Sequence, residues 1–349
     1  MKLGHLASAA LAALLLAPPC AFAQDAANLS LRERIKERRE HRRVDSAKPD
    51  AAASGSSAAA QLSPGNHTLQ LDFGGKKRKY IVHVPPSYSP SKPAALVVAF
   101  HGGGGHAEYM ADDAKYGLSA KADQANFVVV FPNGYSKVPG GRFATWNAGG
   151  CCGDARDRSV DDVGFARALV AAVSAQVNVD SSRVYATGMS NGGMMSHRLA
   201  CDAADLFRAV ASVAGTDATD SCSPSRPLSV LHIHAKNDDH VLYGGGAGPG
   251  AFRETSKVME FTSVPETVAR WVTRNQCGPT PTRTLNKIGA YCENYTGCAE
   301  GVQVQVCVTE DGGHSWPGAQ TMRRGKEPAS SALNANDAIW DFFQASPPR

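Results

Sequence analysis

The sequence lacks several features that would each indicate a particular class of protein. None of its nine cysteines forms a C-x-x-C pair, so the usual ligand spacing of a zinc site is missing. The formal net charge is only +4, too small to indicate a nucleic-acid partner. There is no internal repeat, and no apolar run is long enough to cross a bilayer as a helix. These absences argue against a zinc module, a nucleic-acid binder and an integral membrane protein.

The N-terminal residues have the layout of a secretory signal peptide. Lys2 lies in a short charged region, residues 6–17 are almost entirely apolar, and the run ends in small residues up to Ala23. We therefore predict a signal peptide at 1–23, cleaved near Ala23, and a protein secreted to the periplasm or the medium. Cys20 offers lipid anchoring as an alternative, although Pro19 just before it fits such a site poorly.

The cysteines that remain after cleavage are even in number, as expected of disulfides in an oxidising compartment. The loop lengths suggest Cys201–Cys222 and Cys277–Cys298 as local cross-links. The pairing of the other four, Cys151, Cys152, Cys292 and Cys307, is left open. A bridge between the adjacent Cys151 and Cys152 would be strained, so we do not expect it to be redox-active.

The segment at 24–64 differs in composition from the rest of the chain. Residues 31–43 hold seven Lys or Arg against three Glu, and residues 47–64 are rich in Ala, Ser and Pro. Such a composition predicts a solvated, disordered tether. The alternative is a patch that adheres to an anionic surface. An inactive hydrolase-like protein that uses this patch to bind is the hypothesis from another functional class.

From residue 65 onward, short apolar strands alternate with amphipathic helices, which predicts one α/β domain at 65–349. We expect a mostly parallel central sheet with helices on both faces. The predicted strands are 79–84, 95–100, 127–131, 183–188, 209–213, 229–234 and 302–309. The predicted helices are 163–176, the stretch that ends at Cys201, 265–275 and 332–344.

A G-x-S-x-G pattern surrounds Ser190. The predicted strand at 183–188 leads into it and a helical stretch follows, which is the strand–turn–helix context of a nucleophile elbow. Gly188 and Gly192 would let the strand and the helix approach closely. We therefore predict Ser190 as the nucleophile of a serine hydrolase.

A serine hydroxyl is a weak nucleophile until a neighbouring base takes its proton. In hydrolases with this elbow the chain order is serine, acid, histidine. His314 follows the last predicted strand behind two glycines and is the expected base. His232 and His234 lie on an apolar strand, where we expect them to be core groups with satisfied hydrogen bonds.

The acid should follow the strand at 229–234, because it must hold the imidazole of the base in the correct tautomer. Asp238 is the preferred candidate, and Asp239 and Asp217 stay open as alternatives.

A glycine-rich segment, HGGGG at 101–105, follows the apolar strand at 95–100. It matches the loop that supplies one backbone donor of an oxyanion hole, with the second from the residue after the nucleophile. Gly103 and Asn191 are therefore the predicted donors. A phosphate-binding loop is the alternative, but the segment lacks the G-x-G-x-x-G spacing and the G-K-[ST] ending. No metal or organic cofactor is implied.

Five motifs together resemble those of the secreted esterases known as the polyhydroxybutyrate depolymerase family, which includes feruloyl and acetylxylan esterases. They are HGGGG (101–105), WNAGGCCG (146–153), VDDVGF (160–165), RVYATGMSNGGMMSHRLAC (183–201) and GGHSWPG (312–318). The resemblance covers residues 69–345. It implies the α/β-hydrolase fold and a triad of Ser190, His314 and Asp238. It also implies that Trp146 and Trp316 border the cleft and bind substrate.

The resemblance also favours the two disulfides Cys201–Cys222 and Cys277–Cys298. One departure from the family pattern concerns the acid loop, where Ala235 replaces a usual glycine and Leu242 a usual proline. Asp238 itself is retained in this altered loop.

The expected substrate is a carboxylic ester, and the expected protein is a monomer. The chain ends soon after the last predicted helix, so we expect no appended domain that adsorbs to a solid polymer. We therefore expect activity on hydroxyalkanoate oligomers or amorphous poly(3-hydroxybutyrate). A feruloyl or acetylxylan ester of the plant cell wall is the alternative, because an aromatic wall would suit either kind of substrate.

Overall fold

The structure, a computed structural model, describes residues 61–251, 260–319 and 327–347. The predicted signal peptide, the basic run at 31–43 and the linker up to residue 60 lie outside these residues. None of the helices in the described part of the chain has the length and apolarity that crossing a membrane would require.

The described residues form one ten-stranded sheet in the order β1-β2-β4-β3-β5-β6-β7-β10-β9-β8. The strands are β1 (Gly65–Phe73), β2 (Lys76–Val84), β3 (Ala94–Phe100), β4 (Val128–Pro132), β5 (Val179–Met189), β6 (Ala209–Val213), β7 (Ser229–Ala235), β8 (Thr282–Lys287), β9 (Ala290–Tyr295) and β10 (Val304–Thr309). Six consecutive strands in that order, from β4 to β10, run parallel to one another. Antiparallel pairs extend the sheet at both edges. The predicted fold class is confirmed, with more antiparallel strands than expected.

Strand β3, at the centre of the sheet, is apolar along its whole length because the sheet is covered on both faces. All seven residues of β3 are buried, and alternate side chains enter different cores. Leu96, Val98 and Phe100 join one core, and Ala95, Val97 and Ala99 join the other. The period of two that defines a strand thus divides one apolar run between two layers of helices.

The helices are α1 (Ala107–Met110), α2 (Leu118–Ala125), α3 (Gly153–Asp157), α4 (Asp162–Ser174), α5 (Asn191–Asp202), α6 (Val264–Arg274) and α7 (Ala335–Ala345). Helices α4, α5 and α6 contribute to the first core, and α1, α2 and α7 to the second. Local sequence explains several helix starts. The side chains of Asp161, Ser263 and Asn334 accept backbone N–H bonds at the N-termini of α4, α6 and α7.

The structure forms the two predicted disulfides, Cys201–Cys222 and Cys277–Cys298. It also joins two pairs that the sequence left open, Cys151–Cys152 and Cys292–Cys307. The last bridge links β9 to β10, where the two cysteines are direct cross-strand partners. Four disulfides suit an oxidising compartment.

Strand register brings the candidate site together at the carboxyl edge of the parallel sheet. Phe100 is the partner of Gly188, so the HGGGG loop and the nucleophile elbow leave the sheet side by side. Ala235 is the partner of Thr309, so the loops that carry Asp238 and His314 also leave it side by side. Ligand sites of open α/β sheets lie at this edge.

Candidate active site

The turn between β5 and α5 presents Ser190. The serine has φ 56° and ψ −120°, which is strained for a residue other than glycine. The turn is tight because its neighbours are glycines. A Cβ on Gly188 would lie 2.5 Å from the carbonyl carbon of Gly192, and one on Gly192 would collide with the carbonyl of Phe100. The strand, turn and helix therefore have the geometry of the nucleophile elbow that the sequence predicted.

The HGGGG loop lies beside the elbow and is held from below by His101. This side chain is fully buried, with Nδ1 2.8 Å from the Gly102 carbonyl and Nε2 accepting the Gly134 N–H at 2.9 Å. Burial lowers the pKa of His101 to about 4, so the ring is neutral. The Gly104 N–H donates to the Ala144 carbonyl and the Gly105 N–H to the Gly102 carbonyl. Within the described chain, the Gly103 N–H has no hydrogen-bond partner, as an oxyanion donor requires.

The second predicted donor, Asn191, opens helix α5, where backbone N–H groups have no partner inside the helix. Its side chain is locked in place. The Asn191 Oδ1 accepts the backbone N–H of Trp146 at 2.8 Å, and its Nδ2 donates to the backbone carbonyl of Trp146 at 3.0 Å. This paired contact fixes the start of α5 relative to the loop beneath the site.

The two tryptophans have different positions. Trp146 is fully buried and does not line the cleft, contrary to the expectation from the resemblance. Its indole N–H donates to the His101 carbonyl at 2.9 Å, and its ring packs on Phe100, so it supports the floor of the oxyanion loop. Trp316 does line the cleft, with 2% of its surface exposed, and its indole N–H donates to Asn336.

The loops after β7 and β10 bring Asp238 and His314 into contact. The His314 Nδ1 lies 2.8 Å from the Asp238 Oδ2, and both side chains are almost fully buried. Burial alone would raise the pKa of Asp238. Hydrogen bonds from His234 and His314 outweigh it and hold that pKa far below its usual value. Asp238 is therefore ionised, despite the departures at Ala235 and Leu242.

The two alternative acids have other partners. Asp217 is buried, with its Oδ2 2.6 Å from Arg274 and its Oδ1 accepting from Thr219. Asp239 contacts the ring of His240 at 2.6 Å. Neither carboxylate has a hydrogen bond to His314 within the described chain, so the geometry favours Asp238.

His240 is a site residue that the sequence reasoning missed. Its ring stacks on that of His314, with centroids 4.4 Å apart and planes 11° from parallel. Burial, with the nearby His314 as a further cause, lowers the pKa of His240. Its position two residues after Asp238 was the available signal.

Asp238, His240 and His314 are also the group of described residues whose ligand atoms could hold a metal ion, since these atoms lie within 4.8 Å of one another. Two of the three residues are already joined by the hydrogen bond between His314 and Asp238. The arrangement suits a base and its acid better than a metal centre, in which these atoms would face the ion.

Ser190 and His314 open into one cleft of about 1050 Å³. No hydrogen bond joins the Ser190 Oγ to His314 among the described residues, and such contacts are often long before substrate binds. Gly103 and Asn191 line the same cleft. The wall is rich in aromatic side chains, namely Tyr109, Tyr116, Phe143, Phe261 and Trp316.

Comparisons with known proteins agree with this geometry. A profile of the family described as "Esterase PHB depolymerase" matches residues 78–248. The feruloyl esterase B of Piromyces equi is 32% identical over 68% of this chain, and the match spans 42% of that longer protein. The feruloyl esterase C of Emericella nidulans is 29% identical over 77% of this chain and 84% of its own length.

A protein designated esterase NocK, from Nocardia uniformis subsp. tsuyamanensis, is 31% identical over 71% of this chain and 73% of its own length. Among solved structures, the acetyl xylan esterase from Aspergillus awamori superposes with a TM-score of 0.52 at 16% identity, over 80% of this chain and 99% of that one. That likeness concerns the fold alone. The profile and the relatives show that the chain is a carboxylic ester hydrolase of the esterase PHB depolymerase family, and its fold is that of the α/β hydrolases.

Proposed function

We propose that the chain is a secreted serine esterase that works through an acyl-enzyme on Ser190, with His314 as base and Asp238 as acid. The observation that carries this proposal is the hydrogen bond of 2.8 Å between His314 and the ionised Asp238, in the cleft that Ser190 enters from a strained elbow. The four disulfides support export to an oxidising compartment.

The mechanism follows from the roles that this geometry allows. The Nε2 of His314 takes the proton of Ser190 as the Oγ attacks the ester carbonyl. The carbonyl oxygen becomes an oxyanion, stabilised by the N–H groups of Gly103 and Asn191. The protonated His314 then gives its proton to the leaving alcohol, and the acyl group stays on Ser190. A water molecule repeats the sequence, releases the acid and restores the serine.

Asp238 stabilises the positive charge that His314 carries during both steps. It can do so because its pKa is lowered and it stays anionic. It also holds the Nδ1–H tautomer, which leaves the Nε2 of His314 free to act as the base.

The triad is tested by comparing Ser190→Ala and Asp238→Asn with the control Asp239→Asn. We expect Ser190→Ala to abolish labelling by a fluorophosphonate probe and Asp238→Asn to lower kcat by about 10³- to 10⁴-fold. Asp239→Asn should stay close to the wild type. Labelling that persists in Ser190→Ala, or equal activity of the two aspartate variants, would overturn the assignment.

For the substrate, we favour an ester of a hydroxycinnamic acid such as ferulate. Tyr109, Tyr116 and Trp316 form a row of edge-to-face rings along the cleft, with centroids 5.9 Å and 5.4 Å apart. Such a surface suits a planar aromatic acyl group. Two of the relatives described above are named feruloyl esterases, which supports the same choice and reverses the order expected from the sequence.

A hydroxybutyrate oligomer is the second candidate, favoured by the description of the family that matches residues 78–248. Competition between methyl ferulate and the hydroxybutyrate trimer, measured as kcat/KM, decides between them. A ratio of tenfold or more for ferulate supports the first candidate, and the reverse ratio supports the oligomer.

A further inference from the structure

Three buried histidines form a row behind the proposed acid. His197 lies on α5, and His232 and His234 lie on β7, each with at most 1% of its surface exposed. Their rings are stacked, with centroids 5.6 Å and 5.2 Å apart and planes 26° and 14° from parallel. Trp271 of α6 lies at the far end of the row. The mechanism above gives these side chains no role.

Continuous hydrogen bonds run through the row. The Trp271 Nε1 lies 2.9 Å from the His197 Nδ1, and the His197 Nε2 lies 3.4 Å from the His232 Nδ1. The His232 Nε2 then lies 3.1 Å from the His234 Nδ1. At the near end, the His234 Nε2 lies 2.8 Å from the Val241 carbonyl and 3.3 Å from the Asp238 Oδ2.

The direction of these bonds is set by both ends. An indole N–H can only donate, so the His197 Nδ1 must accept and its Nε2 must carry the proton. Because the His197 Nε2–H donates to the His232 Nδ1, His232 must carry its own proton on Nε2. The His232 Nε2–H donates in turn to the His234 Nδ1, so His234 must also carry its proton on Nε2. At the other end, a carbonyl and a carboxylate can only accept, so the Nε2 of His234 must carry a proton. The two ends therefore demand the same tautomer, Nε2–H, on all three rings.

The surroundings keep the middle of the row uncharged. Burial lowers the pKa of His197 to about 4, although Asp217 acts in the opposite direction and Arg274 adds to the decrease. Burial and the neighbouring rings hold the pKa of His232 well below its usual value. An uncharged imidazole with one proton can pass the direction of a hydrogen bond along, because it has one donor and one acceptor. Aligned hydrogen bonds of this kind also polarise one another.

The end of the row places a ring N–H next to Asp238, although the hydrogen bond of that N–H goes to the Val241 carbonyl. The Asp238 Oδ1 accepts the backbone N–H groups of His240 and Val241 at 2.8 Å and 3.0 Å. Its Oδ2 faces His314 at 2.8 Å and His234 at 3.3 Å. If His234 had the other tautomer, a lone pair would face this oxygen and the Val241 carbonyl, and the carboxylate would be repelled from its position.

We propose that Trp271, His197, His232 and His234 form an oriented relay of positioning residues, which keeps the Nε2–H of His234 on the Val241 carbonyl and beside the Oδ2 of Asp238. The relay holds the carboxylate in the orientation that His314 needs. This role depends on the proposed function, in which Asp238 is the acid. The row itself stands on its hydrogen bonds alone, so the two can be tested separately.

The first measurement reads the tautomers directly. In the full chain labelled with ¹⁵N-histidine, the nitrogen and proton resonances at pH 7 should show His197, His232 and His234 as Nε2–H rings. Assignment uses single His→Gln variants. An Nδ1–H tautomer or a doubly protonated ring at any of the three positions would overturn the relay, whatever the activity of the enzyme.

The second measurement removes the terminal donor. Trp271→Phe keeps an aromatic ring but deletes the N–H. Trp340→Phe is the matched control, since Trp340 is buried in the other core and stacks on Phe127. We expect both variants to lose a similar amount of thermal stability. Only Trp271→Phe should give mixed tautomers in the row and a kcat about tenfold lower, with KM little changed.

Equal kcat and unchanged tautomers in Trp271→Phe and Trp340→Phe would overturn the relay. Asp238→Asn separates this result from a failure of the proposed function. If that variant keeps full activity, Asp238 is not the acid and the relay has no catalytic residue to position. If it is inactive while Trp271→Phe matches its control, the proposed function stands and the relay fails.

Discussion

Phe143 combines two unfavourable features at the mouth of the cleft. Its side chain is 72% exposed and its backbone has φ 55°, the left-handed region that bulky residues rarely adopt. The next residue, Ala144, pairs with Gly104 and Gly105 of the oxyanion loop, so this position is tied to the site. Strain that persists at a cleft suggests a function. We predict that the ring covers bound substrate and that the backbone conformation costs stability.

The two effects are separable with Phe143→Gly and Phe143→Ala. The left-handed conformation costs a non-glycine residue about 1–2 kcal/mol. Replacement by glycine removes this cost, but about 0.5–1 kcal/mol of the gain is lost because glycine makes the unfolded chain more flexible. The ring buries little of its surface, so its removal costs little. We expect Phe143→Gly to be more stable than the wild type by ~0.5–1 kcal/mol, or a few degrees in Tm. Phe143→Ala should show no gain.

Both variants should bind substrate more weakly. Full burial of a phenylalanine side chain is favourable by about 1.5–3 kcal/mol. A substrate that covers roughly half of the exposed ring would therefore gain about 1 kcal/mol of binding free energy. That corresponds to about a fivefold rise in KM for methyl ferulate. Ile288→Ala is the control, because Ile288 is 99% exposed and does not line the cleft. Equal Tm values for the glycine and alanine variants would refute the strain argument, and an unchanged KM would refute the contact.

Three further predictions concern stability. Asp162→Ala should lower the free energy of unfolding by ~3–5 kcal/mol in urea titration, because it leaves the buried Arg78, 2.8 Å away, without its partner; a loss below 1 kcal/mol would contradict this. Replacing both Cys292 and Cys307 with alanine should cost about 3 kcal/mol, from a loop of 15 residues; wild-type stability would refute it. The lowered pKa of Asp238 contributes stability that is present above its unfolded pKa of about 3.9 and is lost as pH falls further. Asp238→Asn should therefore lose less stability than the wild type on acidification below pH ~4. If the free energies of unfolding of the two proteins fall in parallel with pH, the prediction is wrong.

The sequence was sufficient to predict the central strands and the residues that follow them. Runs such as 95–100 and 127–131 are apolar throughout, and a parallel sheet requires its site residues to follow strand ends. Ser190, His314 and the glycine loop were predictable for this reason. Edge strands were less visible. Strand β8 is almost wholly exposed and polar, so it lacks the apolar pattern on which a strand prediction depends.

Other parts of the site depend on contacts that no local pattern records. The Cys292–Cys307 bridge needs the register of β9 against β10. The relay needs His197 of a helix to meet His232 of a strand, and sequence alone indicated only that His232 and His234 were core positions. Phe143 shows no sequence signal for a positive φ, which is set by the pairing of its neighbour Ala144 with the oxyanion loop.

The donors to Asp238 explain why changes in its loop leave the site intact. The Oδ1 is held by the backbone N–H groups of His240 and Val241, which any residue other than proline would supply at these positions. Ala235 is the last residue of β7 and is fixed by pairing with Thr309, so its added methyl group does not move the start of the loop. The Oδ2, in contrast, depends on two side chains, those of His314 and His234. The orientation of the acid is therefore robust to loop sequence but sensitive to the core behind it.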